Sequence, residues 1–283
     1  MTQSTVTGRR GILAGRPSGS SPAARLSSAI AAAHNDDTVV ATSRDVSKLA
    51  DLIPLAVIDG VEASIGPIDI LVNNAGYILE GAVEECSDDE ILAQFNVNFF
   101  SQIRLRAVLP SMRARRAGVI ANLGSIAGWD GTPAAGFYCA SKAAIAIYTE
   151  SLRHEVAPLG IDVTCIEPGY FRTNFLTTSG GHKVTARKRI NDLQAGTQQA
   201  RDALVAYGLH QPGDPIKGAR VIVEALTKTG RCEGRSLPGR LAFGPDAMAT
   251  IGESMKREQE MMGTWRDIIS STDCDDVWVK WRV

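Results

Sequence analysis

Ile68-Asp69-Ile70-Leu71-Val72-Asn73-Asn74-Ala75-Gly76 runs from an apolar stretch straight into a polar turn that ends on glycine. A short apolar run bounded by turn residues reads as a buried strand, the kind that fills parallel sheets covered on both faces. The segments around it fit the same frame. Residues 12–14 form a short apolar run that ends in a Gly/Ser/Pro loop, 15–21. Pro22 then opens an Ala-rich stretch to His34, with Leu26, Ile30 and Ala33 at helical spacing and Ser21 as its N-cap. Residues 38–42 are rich in β-formers, and residues 53–57 make a further apolar run, read as a strand. Downstream, 88–116 reads as a long helical region broken in two, 118–123 as a strand and 136–158 as a long helix. A strand over 161–166, a helix over 216–228 and a last strand over 240–243 follow. Strands alternating with helices imply βαβ units, so the fold class is α/β: a doubly wound parallel sheet with helices on both faces. With no repeat, low-complexity segment or linker, residues 1–283 are expected to form one domain.

Composition excludes several alternatives. The chain has 283 residues, of which 44% are hydrophobic and 22% charged, an ordinary globular balance. A net charge of −1 gives no basic field for nucleic acid or an anionic membrane. Two local basic clusters, Arg113/Arg115/Arg116 and Lys183/Arg187/Lys188/Arg189, read as solvated helix faces. The five cysteines are scattered and odd in number, and the four histidines lie far apart, which argues against a disulfide framework and against a metal site. Residues 1–10 lack the apolar core of a signal peptide, and no apolar run reaches membrane-spanning length. A cytoplasmic location is expected.

In a sheet of this kind, ligands bind beyond the carboxyl ends of the strands. That directs attention to residues 15–19, 42–44, 73–76, Ser125 and 168–173. Tyr138 and Lys142 lie four apart on the long helix and face the same way. Ser125 closes the preceding strand. A free Tyr has a pKa of about 10, too high to exchange a proton readily near neutrality, and a neighbouring ammonium lowers it. A Ser hydroxyl can bond the substrate oxygen while the Tyr gives or takes its proton.

Tyr138-Cys139-Ala140-Ser141-Lys142, with Ser125 thirteen residues before Tyr138, resembles the active site of the short-chain dehydrogenase/reductase superfamily. So do Asn73-Asn74-Ala75-Gly76, Asn98 within Asn96-Val97-Asn98, and Pro168-Gly169 followed by Thr173. The resemblance runs from about residue 12 to residue 274. Within the superfamily, Glu167-Pro168-Gly169-Tyr170-Phe171-Arg172-Thr173 and Ser271-Thr272-Asp273 resemble the hydroxysteroid-dehydrogenase-like branch. The resemblance implies a Rossmann-like sheet and an oxidoreductase interconverting a ketone and a secondary alcohol. It casts Tyr138 as the acid/base, Lys142 as ribose ligand and tuner of Tyr138, and Ser125 as the group that orients the carbonyl. It has Asn98 hold a water linking Lys142 to solvent, Asn74 line the cofactor cleft and Thr173 meet the nicotinamide carboxamide. It also implies a homodimer or homotetramer built through the two long helices.

Charge argues for NADP(H). Arg44 follows the second strand, where an acid would bond the ribose 2′-hydroxyl of NAD, and Arg16 lies in the Gly-rich loop. Two guanidinium groups suit a 2′-phosphate, although Asp45 offers Arg44 a plain surface pair instead. The loop itself departs from the family. Ala14-Gly15-Arg16-Pro17-Ser18-Gly19-Ser20-Ser21 keeps Gly15 and Gly19 but has Ala for the family's Thr and Ser for its last Gly. Pro22 removes an N–H from a helix end that should cradle phosphates. With 53–57 taken as a strand, only residues 58–67 remain for a crossover that needs about 10–12. Asp59 is then a poor candidate for the family's adenine-contacting acid. These breaks leave open a cofactor-deficient protein with a binding or assembly role, or an incomplete gene model. Dehydration or isomerisation by the same Tyr/Lys pair is a third reading.

Residues 175–215 read as a substrate lid, with a polar, Gly-bearing start at Thr177-Thr178-Ser179-Gly180-Gly181. Trp129 is a candidate for substrate contact or for the core. Residues 245–283 read as a C-terminal helix and a tail whose Val277, Trp278 and Trp281 suit ordinary packing.

Overall fold

The computed structural model describes residues 10–14, 38–42, 53–178 and 181–274, with side chains from residue 58 onward. Gly15, Arg16, Gly19, Arg44, the helix expected over 22–34 and the end of the tail lie outside the described residues.

The strands are β1 (Arg10–Ala14), β2 (Thr38–Thr42), β3 (Ile70–Asn73), β4 (Ile78–Glu80), β5 (Gly118–Leu123), β6 (Ile161–Pro168), β7 (Lys183–Thr185) and β8 (Arg240–Phe243). The helices are α1 (Ile53–Ile65), α2 (Asp88–Phe95), α3 (Ser101–Arg104), α4 (Leu109–Arg115), α5 (Gly136–Val156), α6 (Gln194–Ala206), α7 (Pro215–Thr227), α8 (Pro245–Thr264) and α9 (Arg266–Ile269). Six strands form one parallel sheet in the order β2-β1-β3-β5-β6-β8. The chain runs outward to β2, then returns past β1 to β3, so the order reverses between β1 and β3. That reversal opens a crevice at the carboxyl ends of these two strands.

Successive side chains of a strand point to opposite faces, and the sheet has a core on each. Leu71, Ile120, Ile161 and Val163 meet Ile58 of α1, Met112 of α4, and Leu152 and Val156 of α5. Val72, Ala121, Leu123 and Ile166 meet Ile222, Ala225 and Leu226 of α7, with Phe243 of β8. Helices on both faces of a parallel sheet are the architecture read from the sequence.

Residues 53–57 are the exception. They begin α1 rather than forming a strand. Ile53, Val57, Ile58, Val61 and Ile65 recur at helical spacing, and Pro54 sits in the first turn, where its missing N–H leaves no bond unmade. A five-residue apolar run does not by itself separate a strand from a buried helical stripe. Helix α1 is therefore the main part of the crossover from β2 to β3, which is not unusually short, and Asp59 lies exposed on it.

Residues 88–116 form a single rod with two irregular joints. Ser87 caps α2 by accepting from Glu90 N, and Glu90 returns the bond to Ser87 N at 3.0 Å. A π-helical turn, Asn96–Phe100, and a 3-10 turn, Leu105–Val108, separate α2, α3 and α4.

From residue 181 on, the region expected as a lid contains regular structure. Strand β7 pairs in parallel with β4, Ile78 opposite Lys183 and Glu80 opposite Thr185. Beneath this two-stranded sheet lies a cluster of buried ions. Glu80 accepts from Lys183 Nζ at 2.6 Å and from Arg201 of α6 at 2.8 Å. Glu85 accepts from Arg201 and from the backbone N–H groups of Ala82 at 2.9 Å and Ile190 at 3.1 Å. Arg189, partly exposed, approaches both carboxylates. The basic cluster at 183–189 is thus no helix face, although Arg187, Lys188 and Arg189 are exposed. Lys183 is buried in a strand, because the carboxylates of β4 and the turn after it require cations inside the fold. Burial raises the Glu85 pKa, but the bonds from Ile190, Ala82 and Arg201 outweigh it and leave that carboxyl below its ordinary range. The cluster's contribution is present at neutral pH and is lost only as the pH falls through that lowered value.

Removing one member leaves the opposite charges buried and unpaired. Glu80→Ala is expected to destabilise the fold by about 3–5 kcal/mol and to expose 183–201 to protease, as read by urea unfolding and limited proteolysis. A loss below about 1 kcal/mol, the range of a surface pair, would contradict this account of the cluster.

Candidate active site

Helix α5 places the central residues. Tyr138, Ser141, Lys142, Ile145, Thr149, Leu152 and Val156 recur every three or four positions and are all buried, so one face of the helix lies against the sheet. Its start is set by the segment before it. Ala134 takes a left-handed conformation (φ 60°), unusual for a residue with a Cβ, and its carbonyl accepts from Gly81 N at 2.8 Å. Pro158 and the left-handed Gly160 follow the end of the helix.

Ser125, just beyond β5, is in extended conformation, and its Oγ accepts from Ala127 N at 3.1 Å. Its hydroxyl also hydrogen-bonds the Tyr138 phenol. Burial pushes the phenol well above its ordinary pKa, and the Ser125 bond opposes that rise only in part. Lys142 is 4% exposed, its Nζ donating to Leu123 O at 2.7 Å and lying 5.9 Å from the centre of the Tyr138 ring. Burial pulls its pKa down to about 8. The expected lowering of Tyr138 by Lys142 does not appear: burial dominates, and the opposing contribution comes from Ser125. The structure brings Ser125, Tyr138 and Lys142 together with the phenol neutral.

Asn98 lies in the π-helical turn and is fully buried. Its Oδ1 accepts from Tyr77 N at 3.0 Å, and its Nδ2 donates to Tyr77 O at 2.9 Å and Ser141 Oγ at 3.1 Å. A methyl group added at Gly76 would sit 3.5 Å from both Asn98 Oδ1 and Lys142 Nζ, so both polar ends reach the turn after β3. Two glutamines missed by sequence reasoning extend this pattern. Gln94 accepts from Leu79 N at 2.7 Å and donates to Tyr77 O at 2.8 Å, while Gln102 Nε2 donates to Asn98 O at 2.9 Å. The signal was present in the sequence. Amides at 94, 98 and 102 form a polar stripe along one helix face.

Asn74 is half-buried at the end of β3. Its neighbour Asn73 donates to Asn122 Oδ1 at 2.7 Å, and Asn122 donates to Thr149 Oγ1 at 2.9 Å. Thr173 is buried, its Oγ1 accepting from Phe175 N at 3.3 Å. The Phe175 ring lies 5.9 Å from the Tyr138 ring, and Ile78, Ala135, Tyr170 and Leu176 complete an apolar wall around it. Trp129 is anchored elsewhere. Its Nε1 donates to Glu167 at 2.9 Å, and the Arg240 guanidinium stacks 3.8 Å above its ring.

The family model for short chain dehydrogenases matches residues 17–183, and the chain belongs to that family. A short-chain dehydrogenase from Streptomyces avermitilis superposes with a TM-score of 0.78 at 32% identity, over 95% of this chain and 100% of that one. A gluconate 5-dehydrogenase from Burkholderia cenocepacia, crystallised with NADP and tartrate, gives a TM-score of 0.53 at 27% identity, over 60% of this chain and 74% of that one. The 3-ketodihydrosphingosine reductase of Bacteroides thetaiotaomicron is 39% identical over 141 residues, 50% of this chain. That match spans about half of the relative, 49% of its length. The protein is an oxidoreductase acting on CH–OH or C=O groups. Among the described residues, no helix is long and apolar enough to cross a membrane.

Burying the Lys142 ammonium has a measurable cost. Its folded pKa of about 8 lies below the value of about 10.4 in an unfolded chain. The penalty is therefore complete below pH 8 and fades as the pH rises toward 10.4. Lys142→Met is expected to raise the unfolding free energy by about 1–3 kcal/mol at pH 7, with a smaller gain at pH 10, in parallel denaturant titrations. An unchanged or reduced stability at pH 7 would contradict the burial account.

Proposed function

We propose that the protein is an NADP(H)-dependent ketone reductase, acting reversibly on the secondary alcohol, with Tyr138 as its acid/base. The observation that carries the reading is the convergence of Ser125, Tyr138 and Lys142 beyond β5, with the buried phenol bonded to Ser125 and Lys142 tied to Leu123 O. A neutral phenol is a proton donor, which suits carbonyl reduction. The Ser125 hydroxyl donates to the same carbonyl oxygen and fixes its place. Lys142, cationic below pH about 8 and tied to Leu123 O, stabilises the phenolate left by proton transfer. Asn98 acts through Tyr77 and Ser141, holding the turn after β3 against α5.

A nicotinamide cofactor fits this edge of the sheet. A Cβ at Gly76, in the turn after β3, would meet Asn98 Oδ1 and Lys142 Nζ at 3.5 Å, so polar groups suited to a ribose face that turn. Gly15, Arg16 and Gly19 would hold the phosphates, and Arg44 the 2′-phosphate. Asn74 would line the cleft, Lys142 bond the ribose and Thr173 meet the carboxamide. When bound, NADPH supplies the two-electron reducing equivalent. The NADP-bound gluconate 5-dehydrogenase supports the cofactor.

The wall of Ile78, Tyr170, Phe175 and Leu176 suits an apolar ketone, in keeping with a relative named for reducing 3-ketodihydrosphingosine. The region over 175–215 serves as the lid, since Phe175 already packs on Tyr138. Leu92, Phe100 and Ile147 are exposed on the Asp88–Arg115 rod and α5, which supports a dimer or tetramer built through these helices.

Tyr138→Phe keeps the ring and removes the proton. Ketone reduction in that variant is expected to fall by at least about 10²–10⁴-fold, with NADPH affinity and circular dichroism unchanged. Near-normal turnover would remove Tyr138 from the mechanism.

A further inference from the structure

Helix α8 leaves the body of the fold partway along its length. Its buried residues are Ala247, Ile251 and Ser254. Ser254 Oγ donates to Trp129 O at 3.0 Å and Arg257 to Asp130 at 3.2 Å, which fastens the helix to the segment after Ser125. From Met255 to Cys274 every residue is exposed. The backbone stays helical past Thr264, with Trp265 N donating to Met261 O at 3.1 Å and Ile269 N to Trp265 O at 2.9 Å. Helices α8 and α9 thus form one nearly continuous arm. Met255, Met262 and Ile269 stand seven apart on it and are 56, 54 and 53% exposed, with Met261, Trp265 and Ile268 exposed beside them. Seven residues are close to two turns, so the three share a stripe about 21 Å long. A helix of this length is marginal in water on its own, and an apolar stripe along it marks a contact face.

The charges on the arm indicate what covers it. A helix that lies on a membrane has a polar face rich in Lys and Arg. Here Lys256, Arg257 and Arg266 are offset by Glu253, Glu258, Glu260 and Asp267. The sequence around Met262 is instead complementary to itself. Glu258 lies four residues before Met262 and Arg266 four after, while Met255 lies seven before and Ile269 seven after. A second arm laid antiparallel across Met262 sets Glu258 against Arg266 of the partner subunit, repeats that pair by symmetry, and sets Met255 against the partner's Ile269. A parallel arm would set Glu258 against its own copy, which like charge opposes.

We infer that this face is an interface with a second copy of the chain, in which α8 and α9 of two copies pack antiparallel about Met262. It is separate from the surface of the Asp88–Arg115 rod and α5, and it does not depend on the cofactor reading. Methionine side chains adapt to one another, which suits a seam where Met262 meets its own copy. A stripe of this length makes a small interface, so the pairing belongs to the weaker class of self-association.

Disulfide trapping in the full chain tests the pairing, in a Cys274→Ser background that removes the thiol at the end of the arm. Met262→Cys is expected to link to its own copy under mild oxidation, whereas Glu260→Cys, on the far side of the helix, is not. A disulfide needs Cα atoms within about 7 Å. Antiparallel packing holds residue 255, and likewise 269, about 21 Å from its own copy. Met255→Cys and Ile269→Cys are therefore expected to stay unlinked alone and to link when the two proteins are mixed. Glu258→Arg is expected to slow trapping at 262 by about tenfold, and adding Arg266→Glu to restore it to within about twofold. Self-linking of Met255→Cys, or no recovery in the double variant, would overturn the antiparallel pairing. A Met262→Cys thiol that stays unlinked would overturn the inference, and its reaction with iodoacetamide would say what takes the place of the second copy. Shielding in the protein alone would mean residues 275–283, shielding only with phosphatidylglycerol/phosphatidylcholine vesicles a lipid surface, and free reaction throughout a bare arm.

Discussion

Helix α5 cannot reach β5 and β6 without taking Ser141, Lys142 and Thr149 out of water, and most of the site follows from how those groups are satisfied. Lys142 finds Leu123 O at the end of β5, Ser141 finds Asn98 and the Tyr138 carbonyl, and Thr149 finds Asn122 and the Ile145 carbonyl. Each bond ties the helix to a particular strand end or to the helical rod. Because Tyr138 lies one turn before Lys142, the same seating sets the phenol beside Ser125. The apolar contacts of Ile145, Leu152 and Val156 drive the helix onto the sheet. The polar ones fix its rotation and height.

Two further constraints complete the edge. After β3 the chain leaves the sheet, so Tyr77 and Leu79 lose ladder partners. The amides of Gln94 and Asn98 supply them. The π-helical turn at Asn96–Phe100 places Asn98 where it can reach Tyr77 and Ser141 together, in keeping with the tendency of such turns to mark functional positions. Farther out, the Glu80/Glu85 cluster fastens β7 and α6 to β4, which holds Leu176 and Leu204 over the apolar side of Tyr138. The Ser125/Tyr138/Lys142 group, the apolar wall beside it and the segment from β7 to α6 are thus linked through buried polar bonds, each of which would be costly to break.

The long periodic elements were legible because periodicity survives tertiary context. Strands at 118–123, 161–166 and 240–243 and the helices over 136–158 and 216–228 all form within a few residues of their expected bounds. Ser125, Tyr138 and Lys142 converge because helical spacing and a strand end determine their directions. The run at 53–57 does not declare itself, because five apolar residues fit a strand and a helical stripe equally, and only Pro54 in the first turn favours the helix. Lys183 was misread because a basic cluster is usually solvated, and its carboxylate partner lies 103 residues away. The upward shift of the Tyr138 pKa was also out of reach, since the depth of burial decides it.

The central claim is that this edge of the sheet holds a nicotinamide cofactor carrying a 2′-phosphate. It is tested most directly by titrating the purified chain with NADPH and NADH, followed by nicotinamide fluorescence, in the wild type and in Arg44→Ala. The account predicts tight binding that favours NADPH, and a loss in Arg44→Ala that falls on NADPH and spares NADH. Failure of a folded sample to bind either nucleotide, or equal loss of both in the variant, would contradict it.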